Sequence, residues 1–357
     1  MNIEKKGEGK VRVILLMMMM VMMGCNSGGV KGEGTGGGDG RGLSGAMMEV
    51  GRSAENAFYA FIELMSDALG LKVTKDTKKN AVGEYFNGLS GKLEKASDEL
   101  EKVASKATSG VDKSDESKNA IRVAVDAAKE VLSSLKIHLE SLGQVGDANL
   151  VGWTASNSAG TKAEESVLKK VLKALQGIVN IAKTEGVPEP KAENTAVKVN
   201  NLDNKNGAKI LATDNAPGAT DSDKAALIVS SVSGENILAS IIKSQEGHAK
   251  ALSDNADENT TPLEFAVGGT SAHLSTADTP RSAAVAGGIA LRSLVKDGKL
   301  ASNNNDNDKA VQAVGITAVN KLLVSVEDMI KKTVKNVLEK VKKGVDEARK
   351  PKNPVSQ

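Results

Sequence analysis

One cysteine in 357 residues, Cys25, leaves no partner for a disulfide and no thiolate pair for a zinc site. Aromatic residues make up 2% of the chain, with a single tryptophan, Trp153. Large aromatics dominate ligand pockets and binding hot spots, so a core here has to be built from Val, Leu, Ile and Ala. That composition suits a scaffold more than a pocket. An excess of one charge is missing as well: the formal net charge is +2, and Lys5, Lys6, Lys10 and Arg12 against Glu4 and Glu8 account for all of it. Nucleic acid, which requires a clustered basic surface, is therefore not an expected partner. The longest apolar run, Val13 to Met23, is about eleven residues against the roughly twenty that a bilayer span needs.

What is present begins with the placement of Cys25. A basic stretch, then the short apolar run, then small Gly24 before the cysteine, has the layout of a secretory signal cut at Gly24–Cys25 on the amino side of a lipidated thiol. Met22 stands where a lipoprotein signal most often carries leucine. Two or more acyl chains, at about 0.8 kcal/mol per buried CH₂, hold a protein on a membrane stably, where one chain does so only marginally. Residues 1–24 read as a signal peptide, and Cys25 as the lipidated first residue of the mature chain. Residues 25–46 read as a tether: about half of residues 26–45 are glycine, and such a coil spans roughly 25 Å. Gly32, Gly34 and Gly37 within it fit G-x-G-x-x-G, but no predicted strand or βαβ unit surrounds them, so no dinucleotide site is expected.

Beyond the tether, apolar residues recur at spacings of three and four, the pattern of helices packed side by side. One stripe runs Met47, Val50, Ala54, Phe58, Phe61, Met65, Ala68. A second runs Val82, Phe86, Leu89, Leu93, Ala96, Leu100, Val103. A third runs Ile121, Val125, Ala128, Leu132, Leu135, Leu139, Leu142 and stops at Gly143. A fourth helix is predicted from about 163 to 184 with Leu168, Leu172, Leu175 and Val179 inward, ended by Gly186, Pro188 and Pro190. Further helices are predicted over 224–245, broken near Gly234, and from Pro280 to Lys296, capped by Asp278 or Thr279. Gly287 and Gly288 in the latter point to a close crossing or a kink. The last helix, about 309–349, is the longest, with Val319, Leu323, Val326, Ile330, Val334, Val337, Val341 and Val345 in one stripe. Its lysines Lys331, Lys332, Lys335, Lys340, Lys342 and Lys343 suit a helix C-terminal half or an anionic headgroup surface, and read first as a solvated face. Residues 185–223, 253–280 and 301–308 are polar stretches, loops that can carry short helices or strand pairs.

Chemistry is thinly represented. His138, His248 and His273 have no second histidine at ligand spacing, and no H-E-x-x-H, G-x-S-x-G or P-loop pattern occurs. His138 lies at the edge of the third stripe and reads as a flanking, partly exposed residue. Asp306 and Asp308 among asparagines lack the glycine and the distant glutamate of an EF-hand loop. Trp153 reads as a cover for the end of the bundle. No catalytic, metal or cofactor site is expected, and the only site residues are Cys25 for lipidation and Gly24 with Cys25 for cleavage.

Cys25 through Gly29 (CNSGG), AVGEYF at 81–86, and Ile289 to Leu300 (IALRSLVKDGKL) before an Asn-rich break and a lysine-rich last helix resemble the variable large proteins. These are surface lipoproteins of relapsing-fever spirochaetes, related to the variable surface lipoprotein of Lyme spirochaetes. The resemblance runs over essentially the whole chain. It implies a mainly α, elongated helical bundle over 47–350, with long N- and C-terminal helices, polar variable membrane-distal loops and a short tail, 351–357. It also implies a non-enzymatic outer-membrane coat protein, exposed on the cell surface, whose loops change by recombination so that host antibodies to one variant miss the next. The competing reading is an adhesin that holds a host surface or plasma protein. It would need an exposed aromatic or Arg anchor, for which Phe265, Trp153, Arg281 and Arg292 are the candidates. Self-association is open too, because long amphipathic helices often pair.

Overall fold

A computed structural model describes residues 70–108, 119–199 and 202–348. The signal, Cys25, the tether, the stripe from Met47 to Ala68 and the tail 351–357 lie outside the described residues. Nine α-helices stand among the described residues, with only two-residue strands.

α1 (Lys79–Ala107) and α2 (Ala120–Leu142) form an antiparallel pair, and each buries its predicted stripe residue for residue. Each buried Leu or Phe of these stripes contributes roughly 1.5–3 kcal/mol over an exposed one. Asn119 caps α2 by accepting from the N–H groups of Ile121 and Arg122. Across the pair, Glu101 takes the Arg122 guanidinium at 2.6 Å and the Lys129 ammonium. The three side chains are a quarter to a third exposed, so this cluster fixes register more than it adds stability. After β1 (Thr154–Ala155) comes α3 (Glu165–Thr184), with Leu168, Leu172, Leu175 and Val179 buried as predicted.

The polar stretches carry more structure than loops. Residues 185–223 hold a two-strand hairpin, β2 (Lys198–Val199) with β3 (Leu202–Asp203), and a 3₁₀ turn, Lys205–Leu211, that buries Ala208, Ile210 and Leu211. α4 begins at Asp221, three residues before its predicted start, and ends at Ser230; α5 (Gly234–Ile242) follows at 92°. Ser233 makes that break by capping α5 in a reciprocal pair with Asn236. Within 253–280 lie α6 (Pro262–Val267) and α7 (Ser271–Ser275).

α8 (Ser282–Leu294) is buried along its whole length. The predicted caps do not form: Arg281 stands at the N-cap with no side-chain bond to the helix, and Pro280 lies before the helix with its carbonyl accepting from the Val197 N–H at 2.9 Å. Asp278 instead faces Lys198. The close crossing predicted at the glycines is present. A Cβ on Gly288 would lie 2.3 Å from that of Phe265 on α6, a separation no side chain tolerates. β4 (Leu300–Ala301) runs parallel to β1.

α9 (Asn305–Ala348) has 44 residues, about 66 Å. It starts four residues earlier than predicted, so the second half of 301–308 is helix. The asparagines are the reason: Asn304 caps the start by accepting from the Asn307 N–H at 2.9 Å. The first half of α9 packs against α4, α5 and α8, and the second half against α2 and α3, where Gly344 meets Ala124. α9 is therefore the beam that joins the paired helices to the segments between 185 and 304.

Candidate functional site

The place where the most distinctive residues converge is the end of α8 and the turn after it, the segment Ile289 to Leu300. Arg292 is fully buried there. Its Nε donates to the Ala266 carbonyl at 2.8 Å at the end of α6, with no carboxylate partner, and burial pulls its pKa down to about 9. Gly268, at φ +80°, lets the chain leave α6 beside the guanidinium; a Cβ there would come within 2.2 Å of it.

Lys79, at the first turn of α1, is buried as completely. Its ammonium donates to the carbonyls of Val295 at 2.7 Å and Gly298 at 2.6 Å, in the turn just past α8. Burial pulls its pKa from 10.5 to about 8, against the pull of Asp147 and Asp297. Burial also opposes the Asp147 carboxylate, but N–H groups of Asp297 and Asn149 and the nearby Lys79 hold its pKa below the usual range. Asp297 turns the chain at φ +63°, a left-handed position that aspartate tolerates better than most residues. The signature segment is thus a structural lock. Arg292 within it and Lys79 against it both end on backbone carbonyls inside the protein.

The other signature, AVGEYF, is also structural. Phe86 is in the core, and the Tyr85 hydroxyl donates to Glu327 of α9 at 2.5 Å, with burial first and Glu327 second raising its pKa. Tyr85→Phe leaves the buried Glu327 without this donor and is expected to cost about 1–2 kcal/mol in urea unfolding.

The remaining predicted candidates do not come together. His138 is half-buried with its ring against Gly177 of α3, and burial lowers its pKa. His248 accepts from the Gln245 N–H, and His273 lies beside the Leu252 carbonyl. Asp308 takes the Ser302 hydroxyl. Among the described residues no group of three or more His, Cys, Asp or Glu could hold a metal. Of the adhesin anchors, Phe265 and Arg292 are wholly buried, which removes both from any surface. Arg281 reaches the Asn194 carbonyl at 2.6 Å, and Trp153 is half-buried under the Lys299 ammonium at 4.3 Å. Five of the six lysines in the second half of α9 are matched: Lys332, Lys335, Lys342 and Lys343 each face an acidic residue one turn away, and Lys340 meets Glu185 at 2.8 Å. Several polar turns are left on the outside. Residues 213–215, 218–220, 253–255 and 257–259 are exposed, and Asp257 ties the last of these turns to itself by accepting from the Asn259 and Thr260 N–H groups.

Residue 292 could not be placed from the sequence, because its neighbours Leu291 and Leu294 mark a core helix while an arginine marks a surface. Lys79 carried no signal, since a lysine at a helix start is ordinarily exposed.

The family model for Borrelia lipoproteins matches residues 54–345. Variable large protein 18 of Borrelia hermsii is 61% identical over 313 residues, covering 88% of this chain and 86% of the relative. Variable large protein 21 of the same organism is 59% identical, covering 87% and 85%. Variable large protein 12 is similar at 28% identity over 84% of this chain. Among solved structures, the Lyme disease variable surface antigen VlsE of Borrelia burgdorferi matches with a TM-score of 0.68 over 86% of this chain and all of its own, at 24% identity, a likeness of fold. With α1, α2 and α9 as the frame and the 289–300 lock beneath the polar turns, the chain belongs to the Borrelia lipoprotein family, among its variable large proteins.

Proposed function

We propose that this protein is a variable outer-surface lipoprotein that acts in antigenic variation and evasion of host antibodies, without catalysis. The observation that carries this reading is where the protein places its strong groups. Its buried cations and its buried Phe265 hold the frame together, and the exposed turns at 213–215, 218–220, 253–255 and 257–259 are short and polar. Such turns are surface elements whose change costs a scaffold little, which is what a coat that alters its face requires. Host antibodies are the partners this surface meets. Cys25 would carry the lipid that fixes the protein in the outer membrane, with cleavage after Gly24.

Full-length protein expressed in a lipoprotein-competent bacterium, beside Cys25→Ser, tests the anchor. The wild type should have an intact mass that starts at Cys25 with added acyl chains and should partition with membranes, and Cys25→Ser should do neither. An unlipidated or differently cut wild type would overturn the anchor. Brief proteolysis of intact cells tests the display: the first cuts should fall within 185–280, and first cuts near either terminus would contradict it.

A further inference from the structure

We infer that, beside the apolar side chains that the segment 185–280 buries, the helices hold it by its backbone carbonyls, so that its exposed side chains can change while the attachment stays. The use of such a device depends on the surface-antigen reading; the contacts do not. From α9, the Lys321 ammonium donates to the carbonyls of Val229 at 2.8 Å, Ser230 at 3.3 Å and Val232 at 2.5 Å, closing the C-terminal end of α4. A cation there also meets the negative end of the helix dipole. In the first turn of α9, Asn307 Nδ2 donates to the Ala219 carbonyl at 3.2 Å. From α3, Gln176 Nε2 holds the carbonyls of Ile242 at 2.9 Å and Ser244 at 3.2 Å, which end α5. At the start of α8, Arg281 holds Asn194, and inside it Arg292 holds Ala266.

In each case a helix or its cap supplies the side chain and the segment between 185 and 280 supplies a peptide oxygen. Every residue carries that oxygen, so the acceptor survives any substitution that keeps the backbone path. Several acceptor residues, Asn194, Ala219 and Ser230, turn their own side chains to solvent. Two donors add a contact that depends on residue identity: Asn307 also reaches Ser222 Oγ at 2.7 Å, and Arg281 faces Glu258 at 3.7 Å. The carbonyl contacts would remain if those two were lost. A protein that pinned its loops through their side chains would lose an anchor with each change.

Hydrogen exchange on the full-length chain tests this. A combined acceptor variant, Asn194→Ser with Ala219→Ser and Ser230→Gln, should exchange over residues 219–244 within about twofold of the wild type. Lys321→Met should speed exchange there by about tenfold while residues 90–105 of α1 stay unchanged, and Lys321→Arg should restore most of the protection. Should Lys321→Met not fold, Gln176→Ala with Asn307→Ala takes its place with the same readout. Faster exchange in the acceptor variant than in the donor variant, or no change in the donor variants, would overturn the inference. Either result leaves the Cys25 experiment untouched, and failure of the lipid anchor would leave these exchange rates as they are.

Discussion

Replacing Phe265 by alanine lowers the stability of the protein by about 3–5 kcal/mol and its midpoint of thermal unfolding by roughly 10 °C, followed by circular dichroism. The ring is wholly buried between α6 and α8, and Gly288 passes so close that no neighbouring side chain can swing in to fill the space. The surrounding helices relax only in part around such a hole, and the residual cavity adds to the lost transfer energy. The same substitution separates two roles for this residue. An exposed anchor for a host protein would lose binding on truncation and leave stability within about 0.5 kcal/mol. A variant that melts with the wild type would therefore restore Phe265 to the surface and revive the adhesin reading.

The second large effect lies in the pH dependence of Lys79. Burial depresses its pKa in the folded protein to about 8, from the 10.5 of a solvated lysine. Between those values the unfolded chain holds a proton that the folded chain has released, so stability rises with pH across the window. Below about pH 8 both states are protonated and the contribution is flat. Over the whole window, a difference of this size corresponds to about 3 kcal/mol. Lys79→Met keeps much of the side-chain length and has nothing to titrate. Urea unfolding of both proteins at pH 7, 8, 9 and 10 should give two curves that run parallel up to pH 8 and then diverge, the wild type gaining on the variant. Parallel curves throughout would mean that Lys79 stays charged in the fold, held by the Val295 and Gly298 carbonyls and by Asp147 and Asp297. Comparing the two proteins at each pH cancels the titrating groups that do not interact with Lys79.

The lock built from Lys79 and Arg292 bears on function through what it leaves free. Both cations end on carbonyls, and so does Lys321. The junction between frame and polar segments therefore makes few demands on the segments' own sequence. The identities within the family fit this arrangement. Relatives that keep about 60% of the residues and relatives that keep 28% both align over more than four-fifths of this chain.

Much of this was legible in the residues. The stripes of α1 and α2 were read to the residue, because an antiparallel helix pair buries one face of each helix and the period of 3.6 records that face directly. The break at Gly234 and the close crossing at Gly288 were legible for a similar reason, since glycine inside an apolar helix needs a cause. The start of α8 was misread because Thr279–Pro280 has the local form of a cap, while the hairpin partner at Val197 takes the Pro280 carbonyl from outside the local sequence. The start of α9 was misread because an asparagine run is as good a loop as it is a cap.

By itself the sequence determined that this is a helical frame carrying polar segments, with its one cysteine directly after a short apolar run, because periodicity, composition and spacing are local properties. Only the tertiary structure decided that Phe265 is core, that Arg292 and Lys79 are buried, and that side chains of α3, α8 and α9 reach backbone carbonyls between 185 and 280. Burial and long-range hydrogen bonds depend on which segments meet, and residues 79 and 295, or 292 and 266, meet only once the chain has folded.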